Sequence, residues 1–175
     1  MKRKEFIQAS AAAILASRFS GKNLLNKDYG ASPKIVRANE GPIENVLGDI
    51  QTLKISGADT NGQVVLIEES NPPGTAIPMH VHSKEDEIFK VLEGKLEVTV
   101  GNETTILEAG DLAFAPKGIP HSWKVVGEQT CKTILIAFPA GIELMFSELG
   151  SLPAGPPDFP KVAEICGRYG IEFIQ

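Results

Sequence analysis

The chain contains three histidines, His80, His82 and His121, and each lies in a segment whose spacing suits metal coordination. The first segment reads Gly74-Thr-Ala-Ile-Pro-Met-His80-Val-His82-Ser-Lys-Glu-Asp-Glu87-Ile-Phe-Lys-Val-Leu-Glu-Gly94. The second reads Gly110-Asp-Leu-Ala-Phe-Ala-Pro116-Lys-Gly118-Ile-Pro-His121. Imidazole is the commonest metal ligand near neutral pH, so a chain that concentrates all its histidine here points to one bound divalent transition-metal ion. Alternate residues of a strand face opposite sides, which places His80 and His82 on one face. Glu87 shares parity with Phe89 and Val91, whereas Asp86 shares parity with Lys90. Glu87 therefore turns inward with its apolar neighbours as the fourth ligand, and Asp86 turns to water. His121 shares parity with Trp123 and Val125. Three imidazoles and one carboxylate leave positions open on a six-coordinate ion for substrate, dioxygen or water. They do not select among iron, manganese, nickel, cobalt, copper and zinc.

Short strands must hold this quartet. Apolar runs recur at 50–55, 64–67, 87–92, 96–100, 104–107, 112–115, 122–126 and 131–138, separated by Gly-Asn-Glu, Ala-Gly-Asp, Pro-Lys-Gly and Val-Gly-Glu turns. Lys95-Leu-Glu-Val-Thr-Val alternates cleanly, the mark of one solvated and one buried face. An all-β barrel follows. Two helices close the chain: 142–149, with Ile142, Leu144, Met145 and Phe146 near one stripe and Gly150 as its stop, and 161–169, stopped by Gly170. A Pro-rich connector, 152–160, separates them.

The two histidine segments resemble the paired motifs of the cupin superfamily. The first matches Gly-x5-His-x-His-x4-Glu-x6-Gly throughout, and the second matches Gly-x5-Pro-x-Gly-x2-His, with Val125 where a closing Asn is usual. The resemblance implies a double-stranded β-helix, or jelly-roll barrel, holding the ion on His80, His82, Glu87 and His121. Over about residues 45–175 the chain is also similar to single-domain cupins of the quercetin 2,3-dioxygenase type. The pieces include Val46-Leu-Gly-Asp49, Gly57-Ala-Asp-Thr60-Asn-Gly62, Phe138-Pro-Ala-Gly141 and the tail Arg168-Tyr-Gly-Ile-Glu-Phe173. That similarity implies a dioxygenase in which a substrate hydroxyl binds the ion and Glu87 serves both as ligand and as proton acceptor.

Residues 1–30 read as an export-signal-like segment and linker, 31–150 as the barrel, and 151–175 as the connector and last helix. Met1-Lys-Arg-Lys is a basic start, followed by a short Ala-rich apolar run; Arg3-Lys4-Glu-Phe6-Ile7 resembles a twin-arginine signal with one Arg replaced by Lys. A periplasmic or secreted location is expected, the alternative being a retained N-terminal helix. The run is too short to span a bilayer as a mature helix. Net charge is −5 with no basic cluster beyond the start, which disfavours nucleic acid and membrane partners. Cys131 opens an apolar strand and Cys166 lies in the last helix, so two buried thiols are expected. Exposed sheet edges leave a homodimer open.

Arginine occurs only at 3, 18, 37 and 168, so the barrel between 45 and 150 has none, and Lys90, Lys95 and Lys132 have outward parity. Carboxylate and phosphate ligands are usually gripped by guanidinium forks, so dicarboxylates and sugar phosphates lose ground. Met79, Phe89, Phe114, Trp123 and Phe138 are candidates for an apolar, aromatic lining. A neutral, aromatic small molecule suits such a pocket. The leading expectation is a metal-dependent dioxygenase acting on a flavonol-like or other enolic aromatic compound. A metal-containing binding or sensing module, or a metal-dependent isomerase or hydrolase, would use the same four ligands.

Overall fold

In a computed structural model, which describes residues 30–31, 33–153 and 155–174, the apolar runs become strands of two facing antiparallel sheets. In chain order these are β1 (Ile43–Val46), β2 (Asp49–Ile55), β3 (Val65–Asn71), β4 (Ala76–His82), β5 (Asp86–Glu93), β6 (Lys95–Val100), β7 (Glu103–Glu108), β8 (Leu112–Ala115), β9 (His121–Val126), β10 (Cys131–Phe138) and β11 (Ile171–Phe173). One sheet has the order β1-β2-β3-β10-β5-β8 and the other β11-β4-β9-β6-β7. Two helices, α1 (Ile142–Gly150) and α2 (Phe159–Tyr169), follow β10. The export-signal-like stretch lies outside the described residues, apart from Gly30. Among the described residues no helix is long and apolar enough to cross a membrane.

Alternation does the work the sequence suggests. In β5 Glu87, Phe89 and Val91 are buried while Asp86, Ile88 and Lys90 are less so, and in β9 His121, Trp123 and Val125 form the buried set. Val65, Ile67, Phe89 and Leu135 of one sheet join Leu96, Val98, Trp123 and Val125 of the other in the core. Gly94 carries the chain from β5 into β6 at φ 79°, where a Cβ would meet Thr130 O at 2.7 Å and Cys131 Cα at 2.9 Å. Only glycine tolerates both the backbone angle and that approach.

The helices differ from expectation in detail. Ile142, Met145 and Leu149 are the buried stripe of α1, whereas Leu144 is 62% exposed. The i, i+3, i+7 spacing defines the packed face, and Leu144 falls off it. Glu143 ties the first turn down, accepting from Gly57 N at 2.8 Å and Gly141 N at 2.7 Å. The connector ends earlier than 160. Asp158 caps α2 by accepting from Lys161 N, and Pro160 sits in the first turn, where its missing N–H costs nothing. Cys131 and Cys166 are buried free thiols.

The tail contributes a strand that the sequence reading placed outside the barrel. Gly170 ends α2 in the left-handed conformation, and a side chain there would run into Ser83 Oγ. The chain then enters β11, pairing Ile171 with His82 and Phe173 with His80. The C-terminus thus braces the strand that carries two of the three histidines.

Candidate metal centre

β4 and β9 lie side by side, and their register sets His80 opposite His121. Pro78, which has no N–H to give the ladder, stands at a register shift between Ile77 and His80, one extra residue in β4. After it, His80 and His82 face the interior. Glu87 comes from β5 in the other sheet. Ligand atoms of the four side chains lie within 4.8 Å of one another, and all four residues are buried. Glu87 Oε2 is 3.0 Å from His121 Nε2 and 3.7 Å from His82 Nε2. The ring centres of His80 and His121 are 4.3 Å apart.

Backbone carbonyls decide which ring nitrogens are free. His80 Nδ1 is 2.8 Å from Pro78 O, and His121 Nδ1 is 3.2 Å from Ile119 O. A carbonyl only accepts, so each Nδ1 carries hydrogen and Nε2 is left for the centre. His121 Nε2 then meets a carboxylate oxygen at 3.0 Å, an arrangement that calls for positive charge: a proton on the nitrogen or a cation shared by both. His82 adds a second sign. Its Nδ1 lies 3.5 Å from Glu85 Oε2, and both atoms are buried without a hydrogen-bond partner. Orphaned buried groups cost about 1–3 kcal/mol each. Ligation through Nε2 would put the proton on Nδ1, where Glu85 can accept it, as outer carboxylates do for metal-bound imidazoles. The residues fit a metal ion.

Burial, aided by the neighbouring His121, lowers His80 to about 4, so its imidazole is neutral and ligand-competent at pH 7. Burial also pushes Glu87 up, but the His121 hydrogen bond and the charges of His82, His121 and His80 outweigh it and hold the carboxyl below its usual range. Glu87 is therefore an anion aimed at three nitrogens.

A cavity of about 80 Å³ adjoins the quartet, with Phe89, Trp123, Met145, Phe146 and Phe173 among its apolar walls. A second cleft of about 520 Å³ lies beyond it, lined by Leu53, Ile67, Leu144 and Ser147, and Phe146 borders both.

Of the five candidates for the lining, Phe89 and Trp123 line the inner cavity; Met79, Phe114 and Phe138 do not. Phe114 pairs in register with Ile88 and Phe138 with Asp86, the parity opposite to Glu87, so both face outward. Phe114 is 47% exposed and stacks on Phe138 with ring centres 6.4 Å apart. The β4 bulge leaves Met79 out of the lining; its carbonyl accepts from Ile174 N. Sequence reasoning missed Glu85, and it missed Asp49 and Glu69, two buried acids that also line the cavity. Inward parity was the only signal for the last two, Asp49 sharing it with Gln51 in β2 and Glu69 with Val65 and Ile67 in β3.

Residues 68–137, which span the whole quartet, match the family model described as a cupin domain. The quercetin 2,3-dioxygenase of Bacillus subtilis (strain 168) is 29% identical over 119 residues, covering 68% of this chain and 35% of that protein. This chain thus spans about a third of the length of that relative. Among solved structures, KdgF from Halomonas sp. superimposes with a TM-score of 0.56 at 18% identity, covering 65% of this chain and 99% of that one. The polyketide cyclase RemF from Streptomyces resistomycificus superimposes with a TM-score of 0.52 at 27% identity, covering 61% and 80%. The motif spacing, the two-sheet barrel and these matches converge: residues 68–137 are a cupin domain, and the chain carries the cupin fold.

Proposed function

We propose that this cupin is a metal-dependent dioxygenase acting on a neutral, enolic small molecule of the flavonol kind. One observation carries the reading: three imidazoles of one sheet, with His80 kept neutral by burial, and an anionic carboxylate of the other converge beside a buried, largely apolar cavity with no lysine or arginine among its described wall residues. His80, His82 and Glu87, with His121, would hold the ion. When bound, it supplies Lewis acidity that lowers the pKa of a coordinated hydroxyl and, for a redox-active metal, a route for electrons to dioxygen. Glu87 is the group placed to take the hydroxyl proton, on Oε2. Its hydrogen-bond partner there, His121 Nε2, is held in orientation by Ile119 O at the opposite ring nitrogen. Phe89 and Trp123 keep water from the reacting face. Size constrains the pose: about 80 Å³ is roughly half of a cavity that holds benzene, ~150 Å³. A flavonol would insert only its hydroxy-keto edge, with Phe146 turning aside and the remaining rings in the outer cleft.

The test is aerobic incubation with quercetin of protein loaded in turn with iron, manganese, cobalt, nickel and copper. Loss of the flavonol absorbance with matching oxygen uptake is expected for at least one metal. Persistence with all of them removes that substrate. The likeness to a polyketide cyclase favours a second reading, redox-neutral enol chemistry by the same ligands. Product formed under strict anaerobiosis would select it.

A further inference from the structure

The wall made by β2, β3 and β10 carries a buried polar patch on the inward parity of strands otherwise packed with apolar residues: Asp49, Gln51, Glu69, Asn71 and Thr133, none more than 4% exposed. Asp49 is fully engaged. Its Oδ1 accepts from Asn71 Nδ2 at 2.6 Å and its Oδ2 from Gln51 Nε2 at 2.7 Å, and Asn71 is fixed in turn because its Oδ1 accepts from Ile50 N at 2.8 Å. Glu69 is only half engaged. Its Oε2 accepts from Thr133 Oγ1, while Oε1 has no hydrogen-bond partner among the described residues, although Glu69 lines the same cavity as His80, His82 and Glu87. No cation reaches this wall among the described residues. Lys54, the buried lysine of β2, turns the other way, to the carbonyls of Ala38 and Glu40 and to Glu68. Burial, and then the charge of Asp49, raise Glu69 well above the usual carboxylate range against the Thr133 bond.

We infer that Glu69 is a ligand-binding group, the second polar anchor of the cavity, and that with Asp49 it restricts the site to uncharged ligands carrying two oxygens: one for the histidine–glutamate centre and one hydrogen-bonded to Glu69 Oε1. A neutral α-hydroxyketone or its enediol has that pattern. A carboxylate can pair its charge only with the metal; at Glu69 it meets Asp49 with no lysine or arginine among the described lining residues. The inference rests on the reading of the quartet as a metal centre that binds substrate, and deepens it by naming the substrate class.

The test uses the full chain loaded with cobalt(II), whose visible absorption reports ligands at the metal. The probes are hydroxyacetone, its isostere butan-2-one, which lacks the hydroxyl, and lactate, which carries charge. Hydroxyacetone should perturb the spectrum at a concentration at least about tenfold below either of the others, since a good hydrogen bond is worth about 1–1.5 kcal/mol. Glu69→Leu should erase that preference with cobalt content and unfolding temperature retained, and Glu69→Gln, which keeps a neutral hydrogen-bonding group, should restore most of it. The same preference in wild type, Glu69→Leu and Glu69→Gln would overturn the role of Glu69 and leave the metal reading standing. Tighter binding of lactate would overturn the ligand class. If cobalt does not bind, or no probe reaches it in wild type, the metal-centre reading fails, and this inference with it.

Discussion

The two walls of the inner cavity handle burial in opposite ways. On the histidine wall, β4 and β9, His80 and His121 are pinned at Nδ1 by backbone carbonyls and His82 faces Glu85, so every Nε2 is turned to the centre, that of His121 on to Glu87. On the acid wall, β2, β3 and β10, side-chain amides and a hydroxyl already engage three of the four carboxyl oxygens. Desolvation lowers the base His80 and raises the acids Asp49 and Glu69. Low dielectric pushes both kinds of group towards neutrality. Glu87 is the exception, kept anionic because three imidazoles face it. One wall gathers nitrogen donors around an anion, and the other buries two acids with no lysine or arginine beside them among the described residues.

The comparison breaks first at Glu87. Glu87→Gln keeps shape but removes the proton acceptor, and kcat/KM should fall by about 10²–10⁴, the usual worth of a general base. Turnover within threefold of wild type, at equal metal content, would refute that role. The next effect is on stability with metal stripped. His80 titrates near 6.5 unfolded and about 4 folded. Between those values the unfolded chain binds the proton and the folded one does not, so stability falls as pH drops through that window, by up to about 3 kcal/mol. Glu69 acts in the opposite sense. Its raised folded pKa means that stability is fully present below about 4.5 and is lost as pH rises towards the folded value. Thermal unfolding from pH 4 to 9 should show His80→Asn removing the loss that accompanies acidification from 6.5 to about 4, and Glu69→Gln the loss that sets in as pH rises above about 4.5. Profiles parallel to wild type for both variants would contradict the opposed-wall description.

A smaller change sharpens the histidine wall. Glu85→Gln should weaken metal binding about 10–100-fold, as loss of an outer carboxylate does, while the metal-free protein unfolds at nearly the same temperature. Competition against a chromogenic chelator measures this, and unaltered affinity would mean that His82 needs no orienting partner.

The histidine wall and the Glu87 strand facing it were readable from the chain because the period of two in His80-Val-His82, in Glu87–Val91 and in His121–Val125 survives unbroken into the structure. The acid wall was not. Glu68-Glu69-Ser70-Asn71 reads as a polar run approaching a turn, and only the pairing of β3 with both β2 and β10 shows that Glu69 and Asn71 stay inside. Met79 lost its expected place to a one-residue bulge, a feature of pairing rather than of composition. β11 escaped because three residues are too few to display a period, and its partner strand lies about ninety positions away.

The smallest predicted effect contrasts two phenylalanines, both expected to line the pocket. Phe89 is 1% exposed with its ring centre 6.0 Å from that of His121, whereas Phe114 is 47% exposed and stacked on Phe138. Truncating Phe89 leaves a void in the core beside a ligand, so Phe89→Ala should cost about 3–5 kcal/mol and loosen metal binding. Phe114→Ala removes one half of an outer aromatic pair, worth about 0.5–1.5 kcal/mol, and Phe114 is not among the residues that line the inner cavity. Its unfolding free energy should fall by about 1 kcal/mol, with metal affinity and turnover unchanged. A Phe114→Ala variant that impaired turnover would place a working surface of this protein on the outside of the six-stranded sheet, and the inner cavity would lose its claim to be where substrate binds.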